Sequence, residues 1–331
     1  MSTPLPAQPP VDRPPFTDYL RIIGKGKRGS RSLNREEARD ALGQVLDGAC
    51  CDAQIGAFFV LIRVREETPE EAAGFTDAVR ARLAVPPDGP VPDIDWGCYA
   101  GKRRHLPWYL LAVKALADQG TRVLLHGNVG PTATRLYTEH ALSALGIPLA
   151  DSLASAQTQL AAERLSYVPL QAFSPTLASL LTLQQTIGLR VPLHSVARML
   201  NPLAAPLSVH GVFHRGFDRI HQQTAVLDGA PAVLAFRGEG GEAEVRPERP
   251  VTLCCARHGV ASEITLPATG KWARGSVEDP STLARVWHGE AHEYAEQAVI
   301  ATLAAVRHGQ TGEDAESALA FAKTTWDNRK A

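Results

Sequence analysis

Three consecutive cations, Lys102, Arg103 and Arg104, are followed by His105 and set among Trp96, Tyr99 and Trp108. No other group of side chains in this sequence is so well suited to holding an anion. Gly97 and Gly101 free backbone N–H groups, and a helix expected to start near Pro107 would point its positive end at the same place, so the segment reads as a cationic phosphate-binding loop. No carboxylate lies between Trp96 and Trp108 to hold a magnesium ion. A phosphate there would be held by cations alone, with the three aromatic rings as stacking faces. That combination suits a nucleic-acid backbone better than a metal-chelated pyrophosphate.

Charge is segregated along the rest of the chain. The formal net charge is only -1, yet residues 21–31 hold five cations and no acid, and the 53 residues 165–217 contain no Asp or Glu. Lys25, Lys27, Arg28 and Arg31 form a second cationic segment, and Arg198, His214, Arg215 and Arg219 a third. Together with the 102–105 segment they could line one groove. Each has a plainer alternative: a solvated loop for the first, lobe-interface ion pairs for the arginines of the third, and core packing for the aromatics. Acids gather at residues 66–77, 239–248 and 278–296.

The elements that would position these groups can be read from periodicity and punctuation. Residues 1–15 are Pro-rich and read as a disordered tail. Asn34 with Glu37, and Thr68-Pro69 with Glu71, carry helix N-terminal signatures, and a further helix is expected over residues 53–63. These three helices make a small lobe. A Pro-rich linker at residues 86–92 leads into buried strands at residues 121–125 and 232–236. Helical patterns at 109–118, 135–145, 175–188, 193–200 and 294–326 alternate with or follow them, the last split at residues 309–312. The fold class expected is α/β, with a small all-helical lobe hinged to a larger α/β lobe whose central sheet is mostly parallel and flanked by helices. The lobes are assigned to residues 16–88, completed by about 173–204, and to 89–172 with 205–331.

Composition narrows the function classes. Five cysteines occur without CxxC spacing, no secretory signal is visible and no apolar run approaches membrane-spanning length, so a soluble, cytoplasmic protein with reduced thiols is expected. His210, His214 and His221 do not follow a zinc pattern. The formal GxGxxG of residues 24–29 precedes a helical lobe rather than following a strand, which argues against a dinucleotide site. No serine lies in a nucleophile elbow. Neither a metal nor a cofactor is expected.

Several segments, in order, resemble the anthranilate phosphoribosyltransferase family and its nucleoside-phosphorylase-type relatives: Leu33-Asn-Arg-Glu-Glu-Ala38, Asp52-Ala-Gln-Ile-Gly-Ala-Phe58, Arg63-Val-Arg-Glu-Glu-Thr-Pro-Glu-Glu71, His126-Gly-Asn128, Gly188-Leu-Arg190 and Asn201-Pro-Leu203. The resemblance implies the two-lobed fold and dimers formed through the small helical lobe. It also marks Gly97, Gly101, His126, Asn128, Arg190 and Glu244 as a vestigial substrate site. The departures are informative. Where the transferases carry a Gly-Thr-Gly-Gly-Asp loop and an Asn-x-Ser-Thr segment for pyrophosphate, this chain has residues 96–108. The Lys and Arg that flank His-Gly-Asn in the family are Leu125 and Val129 here. The Asp-Gly-x-Asp-Glu magnesium motif is Gly240-Gly-Glu-Ala-Glu244, keeping Glu244 and losing both aspartates, at Gly240 and Ala243.

A divergent branch of the family is described as nucleic-acid-binding dimers without transferase activity, and Gly24-Lys-Gly-Lys-Arg-Gly29 and Ala100-Gly-Lys-Arg-Arg104 resemble it. The expectation is a homodimer binding nucleic acid, single-stranded DNA or RNA, without sequence specificity or standard transferase activity. Two alternatives stay open: a phosphoribosyltransferase with an altered aromatic acceptor, and a dimeric interaction scaffold.

Overall fold

The computed structural model describes residues 13–26, 28–271 and 279–329. Its chain divides into two compact units. One comprises the described residues through Leu83 with Ser174–Leu200, and the other Ala84–Phe173 with Asn201 onward.

The first unit is helical. The helix Arg35–Leu46 begins at Asn34, whose side chain accepts the Glu37 N–H while Glu37 reaches back to the Asn34 N–H. The helix Pro69–Arg80 repeats the capping box with Thr68 and Glu71. Between them lies the helix Asp52–Arg65. Ahead of all three, Phe16–Gly24 forms a helix that buries Phe16, Tyr19 and Ile23. The rings of Phe16 and Phe58 lie 5.4 Å apart and those of Phe58 and Phe75 5.9 Å. Glu71 is fully buried without being orphaned, since it accepts the Leu33 N–H at 2.9 Å and pairs with Arg65 at 2.8 Å; a buried carboxylate is tolerated on those terms. The later segments close the bundle as short helices, Pro175–Leu181, Leu183–Ile187 and Leu193–Arg198, with Arg80 donating to the Leu200 carbonyl at 2.9 Å.

The second unit is built on a seven-stranded sheet ordered β3-β2-β1-β4-β5-β6-β7. In chain order the strands are β1 Ile94–Cys98, β2 Val123–Gly127, β3 Leu165–Pro169, β4 Leu207–Val212, β5 Ala232–Arg237, β6 Val251–Arg257 and β7 Val260–Leu266. The first five pair in parallel, and β6 and β7 add antiparallel. Alternation sets the two faces. Ile94, Trp96, Val123, Leu125, Leu207, Val209, Leu234 and Phe236 turn to a large apolar core shared with the helices Tyr109–Asp118 and Glu293–Thr311. The opposite face is covered by Leu153–Glu163 and Phe217–Leu227.

Two expectations are corrected. Residues 95–98, read as the start of a loop, are the central strand β1: Trp96 pairs with Leu125 on one side and Val209 on the other. Residues 135–145 give a 3-10 helix over Thr138–Leu145 rather than a regular helix.

Candidate functional site

The parallel strands reverse their direction of addition between β1 and β4, and the loops leaving their carboxyl ends meet at this switch point, where open α/β sheets hold ligands. The loop after β1 has Gly101 in the left-handed region at φ 67°, which turns successive N–H groups inward as an anion nest. The nest is already filled. Glu242 accepts the Ala100 N–H at 2.8 Å and the Gly101 N–H at 2.5 Å. Glu244 accepts the Tyr109 N–H at the start of the helix Tyr109–Asp118, at 2.9 Å. Both features expected to take a phosphate, the glycine-freed N–H groups and the helix N-terminus, therefore hold carboxylates of the chain itself. The loop after β5 lies this close because of two glycines: a Cβ on Gly211 would come within 2.2 Å of the Ala243 nitrogen, and one on Gly238 within 1.6 Å of the Glu242 carbonyl.

Lys102 belongs to the same plug. Its side chain is 1% exposed and its ammonium sits between Glu239 and Glu244, 2.5 Å from the latter. Burial alone would lower the Lys102 pKa, but Glu244 and Glu239 hold it above its ordinary value. Burial likewise pushes Glu244 up to about 7 against the pull of Lys102, whereas Lys102 keeps Glu239 below the usual carboxylate range despite its burial. The expectation that Lys102 meets nucleic acid is overturned: no solvent-facing ammonium is left to do so. Glu244 is likewise the counterion of Lys102 rather than a remnant of an open metal site.

The aromatic platform is also corrected. Trp96 and Trp108 are core residues, 0% and 1% exposed, and Trp96 stacks on Tyr109 at 5.9 Å. Tyr99 is buried with its hydroxyl 2.7 Å from His126 Nδ1. His105 is half-buried, stacked on Tyr294 with ring centroids 4.0 Å apart, and burial with the nearby Lys102 lowers its pKa, so it adds no cation near neutral pH. His126 is fully buried, with Nε2 3.3 Å from Asp95, and Asp95 continues through Ser208 at 2.7 Å to His210 and His221. Both imidazole nitrogens of His126 are thus committed inside the sheet, away from any ligand. Gly97 is buried in β1, and Asn128 is half-buried just beyond β2.

What faces solvent on the carboxyl edge is arginine. Arg103, Arg104, His214 and Arg215 are exposed. Arg103, Arg104 and Arg215 make no ion pair among the described residues. Arg219 is exposed but bound by Glu263 at 3.0 and 3.2 Å. Beyond the expected cations, Arg237, Arg246 and Arg249 join Arg215 and Arg219 around one concavity. Phe213, directly after β4, is 55% exposed, with its ring edge-to-face with His214 at 5.1 Å. Sequence reasoning misses Phe213, and it misses these three further arginines because they lie within or beside residues 239–248, which count there as an acidic cluster. The order within that run carries the signal: Glu239, Glu242 and Glu244 occupy its middle and turn inward, while the arginines stand at its two ends.

On the helical unit, Lys25 and Arg28 are exposed, Arg31 is held by both oxygens of Glu37 at 2.6 Å, and Lys27 lies outside the described residues. Arg198 is buried and donates to the His194 carbonyl, so its expected role at a nucleic acid is corrected to a structural one. Arg190 is half-buried after Gly188.

Residues 17–83 match the helical bundle domain of the glycosyl transferase family. Over 244 residues the chain is 26% identical to anthranilate phosphoribosyltransferase of Nitratidesulfovibrio vulgaris, covering 71% of each. The chain is thus similar to the anthranilate phosphoribosyltransferases in sequence. Another relative is an uncharacterized protein of Escherichia coli, YbiB, 29% identical over 241 residues, covering 70% of this chain and 74% of that one. Anthranilate phosphoribosyltransferase from Thermus thermophilus superposes with a TM-score of 0.72 at 19% identity, covering 93% and 94% of the two chains. The Saccharomyces cerevisiae enzyme in complex with PRPP and Mg gives 0.76 at 15%, covering 94% and 93%. The chain therefore shares the transferase fold. Among its described residues, no helix is long and apolar enough to cross a membrane.

Proposed function

We propose that this anthranilate phosphoribosyltransferase-like protein binds the phosphate backbone of nucleic acid on the carboxyl edge of its sheet and does not carry out the standard transfer from phosphoribosyl pyrophosphate. The observation that carries the reading is an inversion of charge across that edge. Glu242 and Glu244 fill the N–H groups a pyrophosphate would need, while Arg103, Arg104 and Arg215 stand outside without acids. A donor anion would have to displace two buried carboxylates from charge-assisted hydrogen bonds, which are about twice as strong as neutral ones. A polyanion needs no such displacement, because exposed guanidiniums pair with phosphates and release counterions. Phe213 supports a single strand in particular, since an exposed ring beside cations can stack on an unpaired base of any identity. The homodimer implied by the family resemblance belongs to the same proposal.

The test is anisotropy of a labelled, hydroxyl-ended single-stranded oligonucleotide at several salt concentrations, with phosphoribosyl pyrophosphate as competitor with and without magnesium. Binding should weaken steeply with salt and be indifferent to the competitor. Arg103→Ala, Arg104→Ala and Arg215→Ala together should reduce the slope of log K against log salt by about 2, at ~0.7 per phosphate contact. No binding at low salt, an unchanged slope, or release of pyrophosphate from the donor with an aromatic acceptor would overturn the reading.

A further inference from the structure

The arginines at the end of β5 and the start of β6 do something a groove for a continuous backbone does not require. They converge. Arg215 follows β4, Arg237 ends β5, Arg246 and Arg249 precede β6, and with Arg219 they wall a concavity of about 430 Å³ floored by Thr252 and Cys254. That volume lies in the range of small-ligand sites, and five arginines share its lining, so the concavity is a bowl of converging charge.

The charge account is specific. Arg246 is held by Glu248 and Arg219 by Glu263, and Asp218 is a further carboxylate on the lining, so five guanidiniums against three acids leave an excess of two positive charges. Arg237 has only a long contact, 3.4 Å, from its Nε to the Phe213 carbonyl, and Arg249 makes no ion pair among the described residues. Burial holds the Arg249 guanidinium below its ordinary value, and Arg246 and Arg237 push it further in the same direction, so like charges are crowded at this point. The helix Phe217–Leu227 starts on Gly216, which has no side chain to cap it, and in its first turn Asp218 accepts the Arg219 N–H at 3.1 Å. A phosphodiester brings one negative charge to such a place. A phosphate monoester brings nearly two at neutral pH, with three oxygens to receive donors.

We propose that this bowl holds a terminal phosphate monoester of a bound strand, with the terminal base on Phe213, so that the protein distinguishes a phosphorylated end from a hydroxyl end. The inference rests on the nucleic-acid reading above and refines it. Phe213 is assigned to the base because its ring is 55% exposed, it precedes Arg215 by two residues, and its carbonyl lies 3.4 Å from Arg237 Nε.

The experiment compares one oligonucleotide sequence carrying a 5′-phosphate, a 3′-phosphate or hydroxyls at both ends, with inorganic phosphate as competitor. One phosphorylated end should bind roughly 10-fold tighter than the hydroxyl-ended strand, the gain expected when charged hydrogen bonds are added. Arg237→Ala with Arg249→Ala should bring that ratio to about 1, whereas Arg103→Ala with Arg104→Ala should weaken all three strands and preserve it. Millimolar inorganic phosphate should reduce the ratio while leaving the hydroxyl-ended strand bound. Equal affinity for all three ends overturns the inference and leaves the nucleic-acid reading standing. A ratio that survives loss of Arg237 and Arg249 overturns it as well. Inorganic phosphate protecting the wild-type fold but not the double variant, with equal affinity for all ends, would make the bowl a free-anion site and sink the terminal-phosphate proposal. Absence of binding by any strand removes both.

Discussion

Replacing Lys102 by Met separates the two ways of reading the cationic loop. If Lys102 met nucleic acid at the surface, its loss would weaken binding and leave stability within the ~0–1 kcal/mol of an exposed ion pair. The structure gives the opposite expectation, because the ammonium is 1% exposed and shared by Glu239 and Glu244. Met fills much of the volume but leaves two buried carboxylates without their cation. Breaking a buried pair in this way costs about 3–5 kcal/mol, a large part of a typical ~5–15 kcal/mol of total stability. For a protein of this size that corresponds to a fall in melting temperature of about 4–7 °C.

The pH dependence follows from the same geometry. Without Lys102, burial raises the folded-state pKa of both carboxyls above the ordinary value of 4.5, so between that value and neutrality the folded form binds protons that the unfolded form has released. The difference between variant and wild type should therefore be smallest below about 4.5 and grow as pH rises toward 7. Adding Glu244→Gln to Lys102→Met should recover part of the loss. Thermal denaturation followed by circular dichroism at pH 4, 5.5 and 7, with oligonucleotide anisotropy below the transition, decides the matter. A Lys102→Met protein that melts within 2 °C of wild type while losing most of its affinity would refute the plug.

Two further outcomes follow from the site. Phe213→Ala should weaken a single-stranded oligonucleotide roughly 10-fold, within the ~1–3 kcal/mol that one stacked base contributes, and leave a duplex of equal charge unaffected; an equal loss on both would remove the ring from the interface. Glu242→Ala empties the nest at Ala100 and Gly101, so millimolar inorganic phosphate should raise the melting temperature of the variant more than that of wild type, by mass action on the folded state. Equal response of the two proteins would mean that the loop N–H groups are not an anion site even when vacant.

The fold was legible where local chemistry decides local structure. Asn34 with Glu37 and Thr68 with Glu71 fixed two helix starts, and the short apolar runs marked β2 and β5, because caps and buried strands are written in adjacent residues. Strand β1 was hidden because its alternation is Ile, Asp, Trp, Gly, Cys: the polar positions face a buried network, Asp95 with His126 and Ser208, rather than water, so the pattern did not look like a strand. The site was legible in residue type but not in direction. A run of basic residues shows that guanidiniums and ammoniums are near one another, and whether each points outward depends on what lies across the sheet. Here the acids that neutralise Lys102 come from more than 130 residues later in the chain, brought down onto β4 by Gly211 and Gly238. The same loop that buries Glu242 and Glu244 ends in Arg246 and Arg249 on its outer side. One long-range contact thus removes a cation from the expected surface and supplies two arginines to the bowl beside it, which is why adding charges along the sequence finds Arg103, Arg104 and Arg215 on this edge but counts Lys102 with them and leaves out Arg246 and Arg249.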